Sequence, residues 1–76
     1  MPLYYLNICD TEGITEDLEG YELVDLDAAV QEAAEGAREI AADAIRSGST
    51  LGEMSIEVMD EQYVRLATVR LRDVRF

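Results

Sequence analysis

Apolar positions recur along this chain with two different periods, and the change of period separates strands from a helix. Residues 3–9, Leu-Tyr-Tyr-Leu-Asn-Ile-Cys, alternate at period two, with Tyr4, Leu6 and Ile8 on one face and Tyr5, Asn7 and Cys9 on the other. Successive side chains of a strand point to opposite faces, so this spacing predicts a first strand over about 3–9. Residues 10–20 are acidic, rich in turn formers and broken by Gly13 and Gly20, with only Ile14 and Leu18 to tether them to a core. They read as a mobile loop or a loose hairpin. Tyr21 to Val24 suits a short second strand leading into a helix.

From about Leu26 to Ser47 the period becomes helical. At about 100° per residue, Leu26, Val30, Ala33, Ala37, Ile40 and Ala44 cluster about one line, flanked by Ala29, Ala34, Ala41 and Ile45. That is one buried face. Asp25 is placed as an N-cap, Asp27 and Arg46 complement the two ends of the helix dipole, and Gly48 suits the left-handed stop. Gly36 sits on the flank of the buried face, where close backbone contact would justify a residue costing about 1 kcal/mol against alanine. On the outer side Glu32, Glu35, Glu39 and Asp43 follow at spacings of three and four, relieved only by Arg38 and Arg46. Adjacent like charges cost a few tenths of a kcal/mol per pair, so this side is either a solvated face or a docking ridge for a basic partner.

After a loop from Ser47 to Gly52, Met54, Ile56 and Val58 alternate with Ser55, Glu57 and Met59, and a second extended segment runs from Tyr63 to about Arg72. The two form a hairpin. A three-residue connection, Asp60-Glu61-Gln62, pairs Met59 with Tyr63, Val58 with Val64, Glu57 with Arg65 and Ile56 with Leu66; with Gln62 where glycine is usual, a longer loop is the alternative. The apolar phase changes between Val64 and Leu66 on one side and Val69 and Leu71 on the other, which a bulge near Ala67 or Thr68 explains, as does a strand end buried on both faces. The expected fold is one α+β domain over residues 1–76, β(β)αββ, with an antiparallel sheet of three to four strands and one long helix on one face. The open side of that sheet is expected to expose Tyr5, Cys9, Met59, Tyr63 and Val69, with Leu71 possible there too, a self-association surface for a homo-oligomer.

Charge and missing residue types narrow the function. The formal charge is −11, with no histidine, no lysine and six arginines among 76 residues. This composition removes the usual proton shuttle near neutral pH, Schiff-base chemistry and imidazole metal sites. Cys9 is the one cysteine, so there is neither an internal disulfide nor a thiolate zinc site, and a reduced cytoplasmic setting fits. No run of about 18 apolar residues spans a bilayer. Such acidity opposes nucleic-acid phosphates and anionic membranes and favours basic protein partners. Every acid before Arg38 is unaccompanied by a base, whereas Arg65, Arg70, Arg72 and Arg75 crowd the C-terminal end. If the two ends neighbour each other in the sheet, the charges balance internally, which is the expectation; otherwise the surface is dipolar. Paired carboxylates abound without a nucleophile or oxyanion site to use them, and nothing activates Cys9, so no catalytic residue, cofactor or metal is expected. The acidic loop offers oxygen ligands for a cation, but Gly13 stands only fourth from Asp10, unlike an EF-hand loop.

The opening Met1-Pro2-Leu3-Tyr4-Tyr5-Leu6, Asp10 with Gly13, Glu19-Gly20-Tyr21-Glu22-Leu23, then Asp25-Leu26 with its alanine-rich helix and Ile56-Glu57-Val58 resemble a family of short bacterial proteins catalogued as a domain of unknown function. Leu3 and Asn7 depart from its pattern, which commonly has a basic residue and histidine there. The resemblance implies a compact α+β domain and assigns no site. The same order of strand, acidic turn, short strand and Asp-led helix is more distantly similar to antitoxins with a partial ribonuclease-H-like fold, which neutralise small basic RNA-cleaving toxins. Two roles follow as expectations: a non-catalytic, self-associating protein-interaction module, or an antitoxin-like inhibitor; cation binding by the loop is a minor third.

Overall fold

The computed structural model describes residues 1–48 and 52–74. The chain forms β1 (Leu3–Asp10), β2 (Gly13–Thr15), β3 (Tyr21–Glu22), α1 (Leu26–Arg46), β4 (Ser55–Met59) and β5 (Arg65–Arg70), then a 3-10 turn over Leu71–Asp73. All pairings are antiparallel, in the order β2-β1-β4-β5, with β3 on the same edge of β1 as β2. The α+β class is as expected, and the sheet gains one strand because the acidic segment supplies β2. The middle of the Ser47–Gly52 loop lies outside the described residues. Among the described residues no helix is long and apolar enough to cross a membrane.

The helix forms where its caps and its face agree. The Asp25 carboxylate accepts the Ala28 N–H at 2.9 Å, and Gly48 takes the left-handed φ of 77° that ends it. Ala29, Ala33, Ala37 and Ala41 are wholly buried, a row four residues apart on which the helix axis approaches the sheet closely. Tyr4, Ile56, Val58 and Leu71 meet that row from the sheet side. Val58 and Leu71 are the largest side chains buried completely. The core is thin.

The acidic segment is more ordered in its bonding than its composition suggests. β2 and β3 act as one strand along the edge of β1, interrupted by residues 16–20, which loop out and return. Asp17 pins the interruption. One carboxylate oxygen accepts the Leu6 N–H of β1 at 3.2 Å, and the other accepts the N–H groups of Glu19 and Gly20 at 3.3 and 3.0 Å. The Asp17 N–H in turn donates to Oδ1 of Asn7 at 3.0 Å, which explains how a polar residue at 6% exposure is satisfied. Gly20 is required there, because its φ is 77° and a Cβ would lie 3.0 Å from the Leu3 side chain and 3.1 Å from the Tyr4 carbonyl oxygen.

The β4–β5 hairpin corrects the expected register. Met59 pairs with Arg65, Val58 with Ala67, Glu57 with Thr68 and Ile56 with Val69, so the connection is five residues long and Leu66 is the extra residue of a bulge. Asp60 builds the longer turn: its carboxylate accepts the N–H groups of Gln62 and Val64 at 2.8 and 2.9 Å, and its own N–H donates to the Val64 carbonyl at 3.0 Å. The positive φ, 62°, falls on Tyr63 and not on Gln62. Beyond the bulge the phase is reset, so Val69 turns to the helix side against Ile56, correcting its expected place on the open face. The strand stops at Arg70, and the 3-10 turn carries Leu71 into the core at 1% exposure, where the open face was the alternative.

Replacing Asp17 with alanine leaves three backbone N–H groups without their acceptor. At about 1–3 kcal/mol for an abandoned buried donor, part-exposed here, the variant should lose about 2 kcal/mol in urea denaturation. A loss below about 0.5 kcal/mol would show that the loop contributes nothing to the fold.

Candidate functional site

The helix does not lie over the middle of the sheet. It packs chiefly over β4, β5 and the 3-10 turn; of the helix-side residues of β1, Tyr4 is buried in the core while Leu6 and Ile8 lie beside the helix and are only partly covered. The result is a groove of about 240 Å³ between the helix and the β1 edge, lined by Leu6, Ile8, Tyr21, Ile40 and Ile56, by Gly36 and by Glu32, Glu35 and Glu39. Its floor is aliphatic and one rim is carboxylate.

Three of the four helix carboxylates singled out in the sequence thus share one groove. Over seven residues at 1.5 Å rise, Glu32 and Glu39 stand about 10 Å apart along the helix with Glu35 between them. None of the three makes an ion pair among the described residues, and no arginine there lines the groove. Asp43, one turn further along, is not a lining residue; Arg46 engages it. Gly36 is the residue whose role the sequence left least clear. A Cβ there would touch only Ile56 Cδ1, at an ordinary 3.6 Å, so packing does not demand glycine. The helix therefore carries a glycine and a row of like charges at one place, both locally unfavourable, and both face the groove.

The open side of the sheet brings together Tyr5, Met59 and Arg65 in one cross-strand row, with Tyr63 stacked on Tyr5 at 5.1 Å between ring centres and 10° between planes. Tyr63 is 54% exposed and held in a backbone conformation that bulky residues rarely adopt. Arg65 reaches diagonally to Glu57 at 3.0 Å, which preserves the acid-base contact expected from the sequence through a different register. Cys9 is half-buried on this side, and its thiol is pushed up by burial, then by the hydrogen bond and charge of Glu57 and the charge of Asp10, against a weaker opposing pull from Arg65. That environment disfavours the thiolate.

The strand order also separates the charges. The acid-only N-terminal strands form one edge and the arginine-bearing β5 forms the other, with β1 and β4 between them, so the expected internal balance gives way to a dipolar sheet. In the acidic segment the Asp10 and Asp17 carboxylates are engaged by backbone N–H groups, and among the described residues no cluster of three candidate ligands could hold a metal ion.

Fold and groove together define a small α+β domain of one off-centre helix on an antiparallel sheet. The family model for a domain of unknown function, DUF6894, matches residues 3–72, and the chain belongs to that family. No curated protein and no solved structure matches it.

What Gly36 is for can be separated from packing by one substitution. Gly36→Ala should raise stability by about 0.5–1 kcal/mol, since helix propensity improves and the new methyl meets only an ordinary contact. Destabilisation in the same urea titration would mean that the backbone there needs glycine after all.

Proposed function

We propose that this domain is a non-catalytic interaction module that recognises a basic protein partner through the groove beside its helix. The observation that carries the reading is the groove itself: three carboxylates that make no ion pair among the described residues, set over partly covered aliphatic residues, at a place where the helix sacrifices stability. An aliphatic floor supplies contact area and an acidic rim supplies selection and steering for a cationic surface. The residue types available support a binding role over catalysis, because the chain has neither histidine nor lysine and its cysteine sits where the thiolate is disfavoured. An antitoxin-like role is the narrower form of the same reading, with a small RNA-cleaving toxin as the basic partner. Self-association is a second reading, favoured by the exposed, strained Tyr63 stacked on Tyr5 beside Met59.

Affinity capture from native cells at low salt, with wild-type chain and a Glu32→Gln, Glu35→Gln, Glu39→Gln variant as parallel baits, tests these together. The groove reading expects a basic protein held by the wild type, lost with the triple variant and released as ionic strength rises. Toxicity of that protein when expressed alone would select the antitoxin-like form. Retention of nothing except further copies of this chain, equally by both baits, would overturn the groove reading in favour of self-association.

A further inference from the structure

Resting on the groove as a site for a basic partner, we infer that what it accepts is a single arginine side chain projecting from that partner. The volume, about 240 Å³, falls below the roughly 300–1,000 Å³ typical of small-molecule pockets, so it suits one long side chain. Its chemistry is graded in the same way as such a side chain. Leu6, Ile8, Ile40 and Ile56 offer an aliphatic bed for a methylene stem, and Glu32, Glu35 and Glu39 line the helix rim where a cationic tip would emerge. Across the groove from the helix, Tyr21 on the sheet edge supplies an aromatic ring.

These walls distinguish the two long cations. A guanidinium presents five N–H donors in a planar fork, bridges successive carboxylates, stacks on an aromatic ring and is weakly hydrated. An ammonium is a compact, strongly hydrated point charge that satisfies one carboxylate at a time and gains less from the ring. Gly36, without a side chain, keeps the space between the aliphatic bed and the carboxylate rim open; a larger residue there would fill it.

The test is amide and methyl NMR of the full chain titrated with three capped peptides, Ala-Ala-Ala-Arg-Ala-Ala-Ala and its lysine and citrulline counterparts. The arginine peptide should shift Ile8, Gly36, Ile40 and Ile56, with binding at least tenfold weaker for the neutral, nearly isosteric citrulline and several-fold weaker for lysine. Gly36→Leu and the triple glutamine variant should each abolish those shifts while retaining the wild-type circular dichroism spectrum. Equal binding of the lysine peptide at the same residues would overturn the assignment to arginine and leave the basic-partner reading standing. Absence of groove shifts with both cationic peptides would overturn both, and binding of citrulline as strong as arginine would show that charge is not what the groove reads.

Discussion

An α-helix is about 10 Å across with its side chains, and neighbouring strands lie about 4.8 Å apart, so one helix covers about two strands. This sheet is four positions wide, with β2 and β3 sharing one edge, and it has one helix. Cover is therefore scarce even on the favoured face, and where the helix sits decides what remains open. The alanine row draws it down onto β4 and β5, where Ile56, Val58 and Leu71 give the largest return in buried apolar surface. Leu6 and Ile8 are left beside it, and the groove is the direct consequence.

The same strand order fixes the electrostatics. Because β1 and β4 lie between the acidic edge and β5, the arginines of the C-terminal strand cannot neutralise the carboxylates of the N-terminal segment. Arg65 is absorbed by Glu57 on the open face, and Arg46 by Asp43 at the helix end. The carboxylates of the helix flank are then left facing an aliphatic channel with no ion pair among the described residues. A formal charge of −11 extends this field beyond any one contact, which favours rapid capture of cationic surfaces and selects against anionic ones.

Much of the fold was legible in the sequence because periodicity is a local signal. The first strand, the helix with its Asp25 and Gly48 caps, the alanine side it buries and the existence of the final hairpin follow from spacing alone, although Leu26 and Ile45 at the helix ends, expected on or beside that side, are exposed. The acidic segment read as a loop or a loose hairpin, and a hairpin is what forms, its turn closed by Asp10 accepting the Glu12 and Gly13 N–H groups; what no local pattern recorded is the Asp17 carboxylate reaching across the edge to the Leu6 N–H, a contact between elements. The hairpin register failed for a related reason. Matching acid to base between Glu57 and Arg65 presumed a direct pairing, whereas the long arginine reaches that carboxylate diagonally across a bulge at Leu66, freeing Val69 and Leu71 for the core. Of the candidate site, the carboxylates and the anomalous Gly36 were visible as an acidic face and a costly glycine. Their convergence with Leu6, Ile8 and Tyr21 was not, because it depends on the lateral position of the helix, which no single element encodes.

The account therefore turns on whether the helix leaves Leu6 and Ile8 of β1 partly open to solvent while Tyr4 is buried. Methyl relaxation in the presence of a neutral, soluble gadolinium chelate measures that directly, without interference from the chain's own charge. The Leu6 and Ile8 methyl groups should relax several-fold faster than those of Val58 and Leu71. Protection of Leu6 and Ile8 equal to that of Val58 would mean that the helix covers β1 as well, that no groove exists, and that the interaction site proposed for this domain is wrong.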